Sequence, residues 1–276
     1  MNNLSDKIVF ISGSTDGLGK LVAKHLAKEG ATLLLHGRDR NKGMQVLSEI
    51  QNISGNMRSE YFNADFSSLK QVKMLARELT GRYQHLDIFI NNAGIGGGPK
   101  VDQGRELSAD GYELRFAVNY LATFLLTGKM LPVLKNNGTR IINVASVGQE
   151  PINFDDVMLE HHYDGFRAYR QSKLAMIMFT FDLASELKDT GITVNALHPA
   201  SLMNTKMVLE YFGRSMTTVE EGAEALEYLA ISPDVANVTG TYFDGKHQAK
   251  ALAQAYDPNA RKKLRDLSEA LVNKIR

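Results

Sequence analysis

The 276-residue chain predicts an α/β fold, a doubly wound and mainly parallel sheet of about seven strands with helices on both faces. Short runs rich in β-branched residues and leucine alternate with longer segments of helical period, the pattern of strands joined by crossover helices. A glycine-rich turn follows the first of these runs. No Pro/Ser-rich linker, low-complexity stretch or solenoid-length repeat divides the chain, so one domain covering 1–276 is expected.

The first strand is expected over 7–12, where Ile8, Val9, Phe10 and Ile11 run without a polar break. A helix over 18–28 and a second strand over 32–36, carrying Leu33 to Leu35, follow. Val46 and Ile50 set the period of a helix over 41–50, and Tyr61 and Phe62 lie in a strand over 58–63. Leu69, Val72, Leu75, Ala76 and Leu79 mark one face of a helix over 67–83. Strands over 86–91, 139–144 and 193–198 frame two long apolar helices, 111–134 and 166–188. A helix over 218–230 leads to a weaker strand over 240–243. In the tail, 250–276, a charged amphipathic helix is expected over 259–274.

Hydrophobic residues make up 43% of the chain and charged residues 23%, ordinary values for a globular protein. A net charge of +1 gives no electrostatic footprint for nucleic acid, so no such partner is expected. With no cysteine there can be neither disulfide nor thiolate metal site, which fits the cytoplasm. Residues 1–6 are polar, the apolar run 8–11 is too short for a leader or a span, and no later run is long enough, so no membrane partner is expected. The adjacent His161 and His162 cannot share one helical face, and no metal site is expected.

The first strand runs into Gly13-Ser14-Thr15-Asp16-Gly17-Leu18-Gly19 and then a helix. Glycine lets a backbone turn tightly and approach a diphosphate, and a helix N-terminus favours the anion, as in a Rossmann-type dinucleotide site. The second strand ends at His36-Gly37-Arg38. An NAD site usually has a carboxylate there, whereas the Arg38 fork suits a 2′-phosphate, so NADP is the expected cofactor, with NAD second. Arg38 could also be a solvated surface residue, and the charge of Asp16 opposes the phosphate unless it points away. At the ends of the third and fourth strands, Asp65, Phe66, Asn92, Ala93 and Gly94 fall where such sheets bind ligands. Asp65 could instead cap the next helix, and Asn91 is expected to stitch strands together.

In Tyr169-Arg170-Gln171-Ser172-Lys173, the first and last residues share a helix face. An ammonium beside a phenol favours the phenolate, making Tyr169 the expected proton donor. Ser146, at the end of the fifth strand, is placed to hydrogen-bond a substrate carbonyl.

With these pieces in order, the chain resembles the short-chain dehydrogenase/reductase family from about Lys7 to Phe243. The match rests on Gly13, Gly17-Leu18-Gly19, Asn91-Asn92-Ala93-Gly94, Asn119, Ser146 and Tyr169-x-x-x-Lys173. Residues 118–127 and 168–175 and Leu197-His198-Pro199 resemble the retinol dehydrogenase-like branch. The resemblance implies hydride transfer between a nicotinamide dinucleotide and a carbonyl or alcohol substrate. It implies a tetrad of Tyr169 as acid/base, Lys173 lowering its pKa and binding the ribose, Ser146 orienting the carbonyl, and Asn119 holding a relay water. It also implies a homodimer or homotetramer built on the helices over 111–134 and 166–188. After Pro199 the family's glycine is replaced by Ala200, and either Asn204 or Thr205 could bond the carboxamide; Thr205 is preferred. Residues 200–217 read as a lid over an apolar substrate or as a core helix. A non-catalytic dinucleotide-binding redox sensor is the alternative function.

Overall fold

Successive residues of the central strands point into two different cores. In the computed structural model, which describes residues 3–97, 104–134 and 138–275, the first strand, β1 (Ile8–Ile11), sends Phe10 to one side and Val9 and Ile11 to the other. In β2 (Thr32–Gly37), Leu34 joins the first core while Leu33 and Leu35 join the second. β4 (Ile88–Asn91) repeats the division with Phe89 against Ile88 and Ile90. Both faces are covered, so these strands read as unbroken apolar runs.

With β3 (Glu60–Asn63), β5 (Arg140–Val144), β6 (Thr193–His198), β7 (Thr241–Asp244) and β8 (His247–Ala249), the sheet has the order β3-β2-β1-β4-β5-β6-β7-β8. All pairings are parallel except β7 with β8. The expectation of about seven strands missed β8, a three-residue return strand whose side chains carry no apolar alternation. Strand order reverses beside β1, opening a crevice at the carboxyl ends of β1 and β4.

The second core is closed by α1 (Gly17–Lys28), α2 (Arg40–Ser54) and α8 (Val219–Ile231). The first is closed by α3 (Leu69–Arg82), α5 (Ala122–Leu134), α6 (Gly165–Glu186) and α9 (Pro258–Asn273). Each Val, Leu, Ile or Phe side chain fully buried this way contributes about 1.5–3 kcal/mol. The helix expected over 111–134 begins at α4 (Leu114–Phe116) and passes through a π turn (Ala117–Leu121) before α5. That helix, Leu114–Leu134, is long and apolar enough to cross a membrane, contrary to the sequence expectation. However, 72% of its apolar window is buried within the fold.

α9 lies across the helices that the resemblance assigns to subunit pairing. Arg261 and Arg265 both bind Asp182 of α6, at 2.9 and 3.1 Å, and Ser268 bonds the buried Tyr120 at 2.7 Å. Any pairing through α5 and α6 has to form around this helix.

Candidate active site

The glycine loop is shaped by what its glycines touch. A Cβ on Gly13 would lie 2.8 Å from the Cα of Ala93, and one on Gly19 would lie 2.4 Å from the Gly13 carbonyl oxygen. Gly13 and Gly17 also have positive φ, 65° and 48°. The loop is therefore packed against the end of β4. Asn92 fixes that contact by donating to the carbonyls of Ser12 and Gly13 at 3.0 and 2.9 Å, while the Ser12 hydroxyl accepts from the N–H groups of Asn92 and Ala93. Ser12, which the sequence reading did not single out, is thus the bolt between the two strand ends. Asp16 caps α1, its carboxylate accepting from Gly17 N at 2.8 Å.

Two residues expected to touch a cofactor are turned inward. The Ser14 hydroxyl and main-chain N–H both bond the main chain of His36, with the residue fully buried, and Leu18 is buried in the second core. Phe66 is buried too, stacked on the His36 ring at 4.3 Å. Asp65 forms a local turn, accepting from Ser67 N at 2.8 Å.

At the end of β2, Thr15 fills the space beside Gly37; a Cβ there would lie 2.6 Å from its methyl. Arg38 is exposed and has no ion pair among the described residues. The neighbouring carboxylate, Asp39, is taken up in capping α2 through Lys42 N at 3.1 Å. The strand end therefore offers an open guanidinium beside a carboxylate that is engaged at the start of α2, and the guanidinium fork suits a phosphate.

The four residues of the expected tetrad meet at the carboxyl ends of β4 and β5. The half-buried Tyr169 stands beside Ser146, both flanking Gly148. Burial raises the Tyr169 hydroxyl above its ordinary value. Lys173 is buried, donates to the Val144 carbonyl at 3.0 Å, and its Nζ stands 5.7 Å from the Tyr169 ring centre. Burial pushes the lysine down from 10.5 to about 8. The lowering of Tyr169 expected from Lys173 is not seen here: burial of the phenol dominates its shift, and Ser146 is the group that opposes it.

Asn119, in the π turn, spends both amide protons on the Ile95 carbonyl (3.1 Å) and the Ser172 hydroxyl (3.0 Å), and its oxygen accepts from Ile95 N at 2.7 Å. Between these groups lies Gly94, where a Cβ would lie 3.3 Å from Asn119 Oδ1 and 3.5 Å from Lys173 Nζ.

Over the opening sits α7 (Lys206–Phe212), a short helix in the expected lid. It has no buried residue, which rules out a core helix. Thr205 caps it, accepting from Val208 N at 3.3 Å, and lies against Gly17, so the start of this segment reaches the glycine loop. Asn204 is exposed, and Pro199 is buried. Tyr211 and Phe212 lean on Phe166 at 6.4 and 5.7 Å, and Tyr211 rests on Gly96, where a Cβ would clash at 2.4 Å. The Gly96 carbonyl is held by Arg115 at 3.3 Å, a side chain 2% exposed that also binds Glu106, Glu113 and Tyr163. No spacing in the sequence marks this network.

A family model described as short chain dehydrogenase matches residues 7–214. The chain belongs to the short-chain dehydrogenase family. Among this family's members it is 34% identical to human retinol dehydrogenase 11, covering 96% of this chain and 85% of the relative. It is 30% identical to human polyprenol dehydrogenase, covering 94% and 83%. A short-chain dehydrogenase from Shigella flexneri in complex with NADP superposes with a TM-score of 0.72 at 26% identity, covering 89% of this chain and 99% of that one. As a short-chain dehydrogenase, the chain is an oxidoreductase acting on CH–OH and C=O groups.

Proposed function

We propose that this short-chain dehydrogenase interconverts an apolar aldehyde or ketone and its alcohol with NADP(H). The observation that carries the reading is the adjacent Ser146–Tyr169 pair, with buried Lys173 one helical turn from Tyr169 and close to Gly94. Gly13 and Gly19 let the loop close tightly on itself and on the end of β4, where a Cβ would clash, and Gly94 keeps side-chain bulk away from Asn119 and Lys173. Exposed Arg38 suits the 2′-phosphate, in line with the NADP complex of the Shigella relative. The bound nicotinamide supplies or accepts the hydride at the carbonyl carbon.

In reduction, Ser146 donates to the substrate oxygen and fixes its position. Tyr169 Oη releases its proton to that oxygen, leaving a phenolate that Lys173 stabilises. Alcohol oxidation reverses each transfer. Asn119 holds residue 95 and Ser172 in place; a proton relay past it would use its main-chain carbonyl, since its amide protons are engaged. Met207, Leu209, Tyr211 and Phe212 line the lid with partly exposed apolar surface, which favours an apolar substrate. The relatives named for retinol and polyprenol act on alcohols of that character.

The test is reduction of decanal and all-trans-retinal with NADPH by wild type and Tyr169→Phe. Turnover should fall by about 10²- to 10⁴-fold in the variant while NADPH binding is retained. An active Tyr169→Phe enzyme would remove the mechanism. NADPH binding without turnover of either aldehyde would favour the redox-sensor reading.

A further inference from the structure

Ser146 is held through its main chain as well as its hydroxyl. Its main-chain carbonyl accepts two side-chain hydrogen bonds, from Gln149 Nε2 at 3.1 Å and from the hydroxyl of buried Tyr242 at 3.2 Å. Its hydroxyl also accepts from Gly148 N at 3.0 Å. Gln149 reaches further: its Oε1 accepts from the N–H of Leu252 at 2.9 Å. One amide therefore ties the serine's carbonyl to the segment that follows β8.

A second glutamine repeats the tie two residues along. Gln254, in the 3-10 turn Ala253–Tyr256, accepts from Ile152 N at 2.6 Å and donates to Ile152 O at 3.1 Å. It serves both main-chain groups of a residue in the serine loop, as a neighbouring strand would. The segment is itself anchored. Tyr256 accepts from Ala251 N at 3.0 Å and packs its ring on Phe181 of α6 at 5.2 Å, and α9 continues from it to Asp182.

We propose that residues 247–256 act as a strap that positions Ser146, with Gln149, Gln254 and Tyr242 as its positioning residues. The proposal rests on the role given to Ser146 above. The physical need is plain, because the last sheet bond along this chain is Ala145 N to Leu197 O at 2.7 Å and Val147 is already 49% exposed, so the ladder stops one residue short of the serine. A hydroxyl displaced by about 1 Å can cost a reaction two orders of magnitude. Two amides and a phenol bonded at both ends of the loop restrict that displacement.

The experiment compares wild type, Gln149→Ala, Gln254→Ala and Tyr242→Phe in three measurements: hydrogen exchange over residues 145–154, NADPH affinity by nicotinamide fluorescence, and steady-state reduction of decanal. Exchange over 145–154 should quicken in both glutamine variants, kcat should fall by about ten- to a hundredfold, and NADPH affinity should stay within about twofold. Tyr242→Phe removes one oxygen only and should show a smaller kcat loss in the same direction. The proposal is overturned if exchange over 145–154 is unchanged, if exchange quickens with kcat unaltered, or if NADPH affinity falls in parallel with kcat. Should wild type fail to reduce decanal, the functional reading fails separately, and exchange alone decides whether the strap holds the loop.

Discussion

The main-chain N–H of Gly13 points at Nδ1 of His36 across 3.3 Å, and the opposite ring nitrogen, Nε2, contacts the Ala64 carbonyl at 3.1 Å. Nδ1 can accept only if the ring is neutral, which assigns the proton to Nε2. The glycine loop is therefore fastened to the end of β3 through an uncharged imidazole. Burial pushes this histidine down from 6.5 to about 4. Its contribution to stability is complete above pH 6.5 and is lost as pH falls toward 4. At about 1.4 kcal/mol per unit, the loss reaches about 3 kcal/mol. Urea unfolding across this window should show wild type losing stability more steeply than His36→Gln, whose amide does not charge. Parallel curves would contradict the assignment.

Arg38→Ala should weaken NADPH selectively. A charge-assisted bond to phosphate is worth about 1.5–3 kcal/mol, so the dissociation constant should rise by about ten- to a hundredfold while that for NADH changes by less than about threefold. Nicotinamide fluorescence titration measures both directly, aided by the absence of tryptophan. Equal losses for the two cofactors would mean that the arginine does not read the phosphate.

Lys173 sets a pH limit on carbonyl reduction. It is pushed down to about 8, so it is charged at neutral pH and loses its proton as pH rises through about 8. Reduction needs Tyr169 protonated and its departing proton's charge compensated, so kcat/KM should hold a plateau near pH 7 and descend above about 8. Lys173→Arg, which stays charged, should move that descending limb upward. An unchanged limb would assign it to another group.

Arg115→Leu should be severely destabilising. Glu113 is 1% exposed and would lose its cation at 3.5 Å, and stranding one partner of a buried pair costs about 3–5 kcal/mol. Adding Glu113→Gln should recover part of the loss in urea unfolding, although the carboxylate's cap on Phe116 N at 2.7 Å would be weakened. A single variant within about 0.5 kcal/mol of wild type would show that the charges are not mutually dependent.

The apolar runs that form β1, β2, β4, β5 and β6 were legible because both faces of the sheet are covered, and the Gly13–Gly19 turn because a strand and a helix flank it. The convergence of Ser146, Tyr169 and Lys173 followed from placing them at strand ends and on one helix face. What stayed hidden depends on which elements become neighbours. Ser12 matters only because β1 lies beside β4, and Gln149 only because the chain returns past β7 to meet it. Ser14 and Phe66 were expected at the ligand surface because strand ends were taken to face it, whereas their side chains close the interior around His36. The π turn left no trace in the periodicity of an almost wholly apolar helix.

The sheet ends on β3 at one edge and β8 at the other, strands of four and three residues. An unpaired strand edge is a template for another chain, and the hazard grows with its length and apolarity. β8 turns back antiparallel after Gly245 and presents His247 and Gln248, both exposed, while the outer β3 carries Glu60 paired with Arg82. The long parallel strands that would recruit a stranger are all interior. Crowded or concentrated solutions of the folded protein should thus meet little sheet-to-sheet self-association, and aggregation on heating should follow from unfolding rather than from docking of native edges.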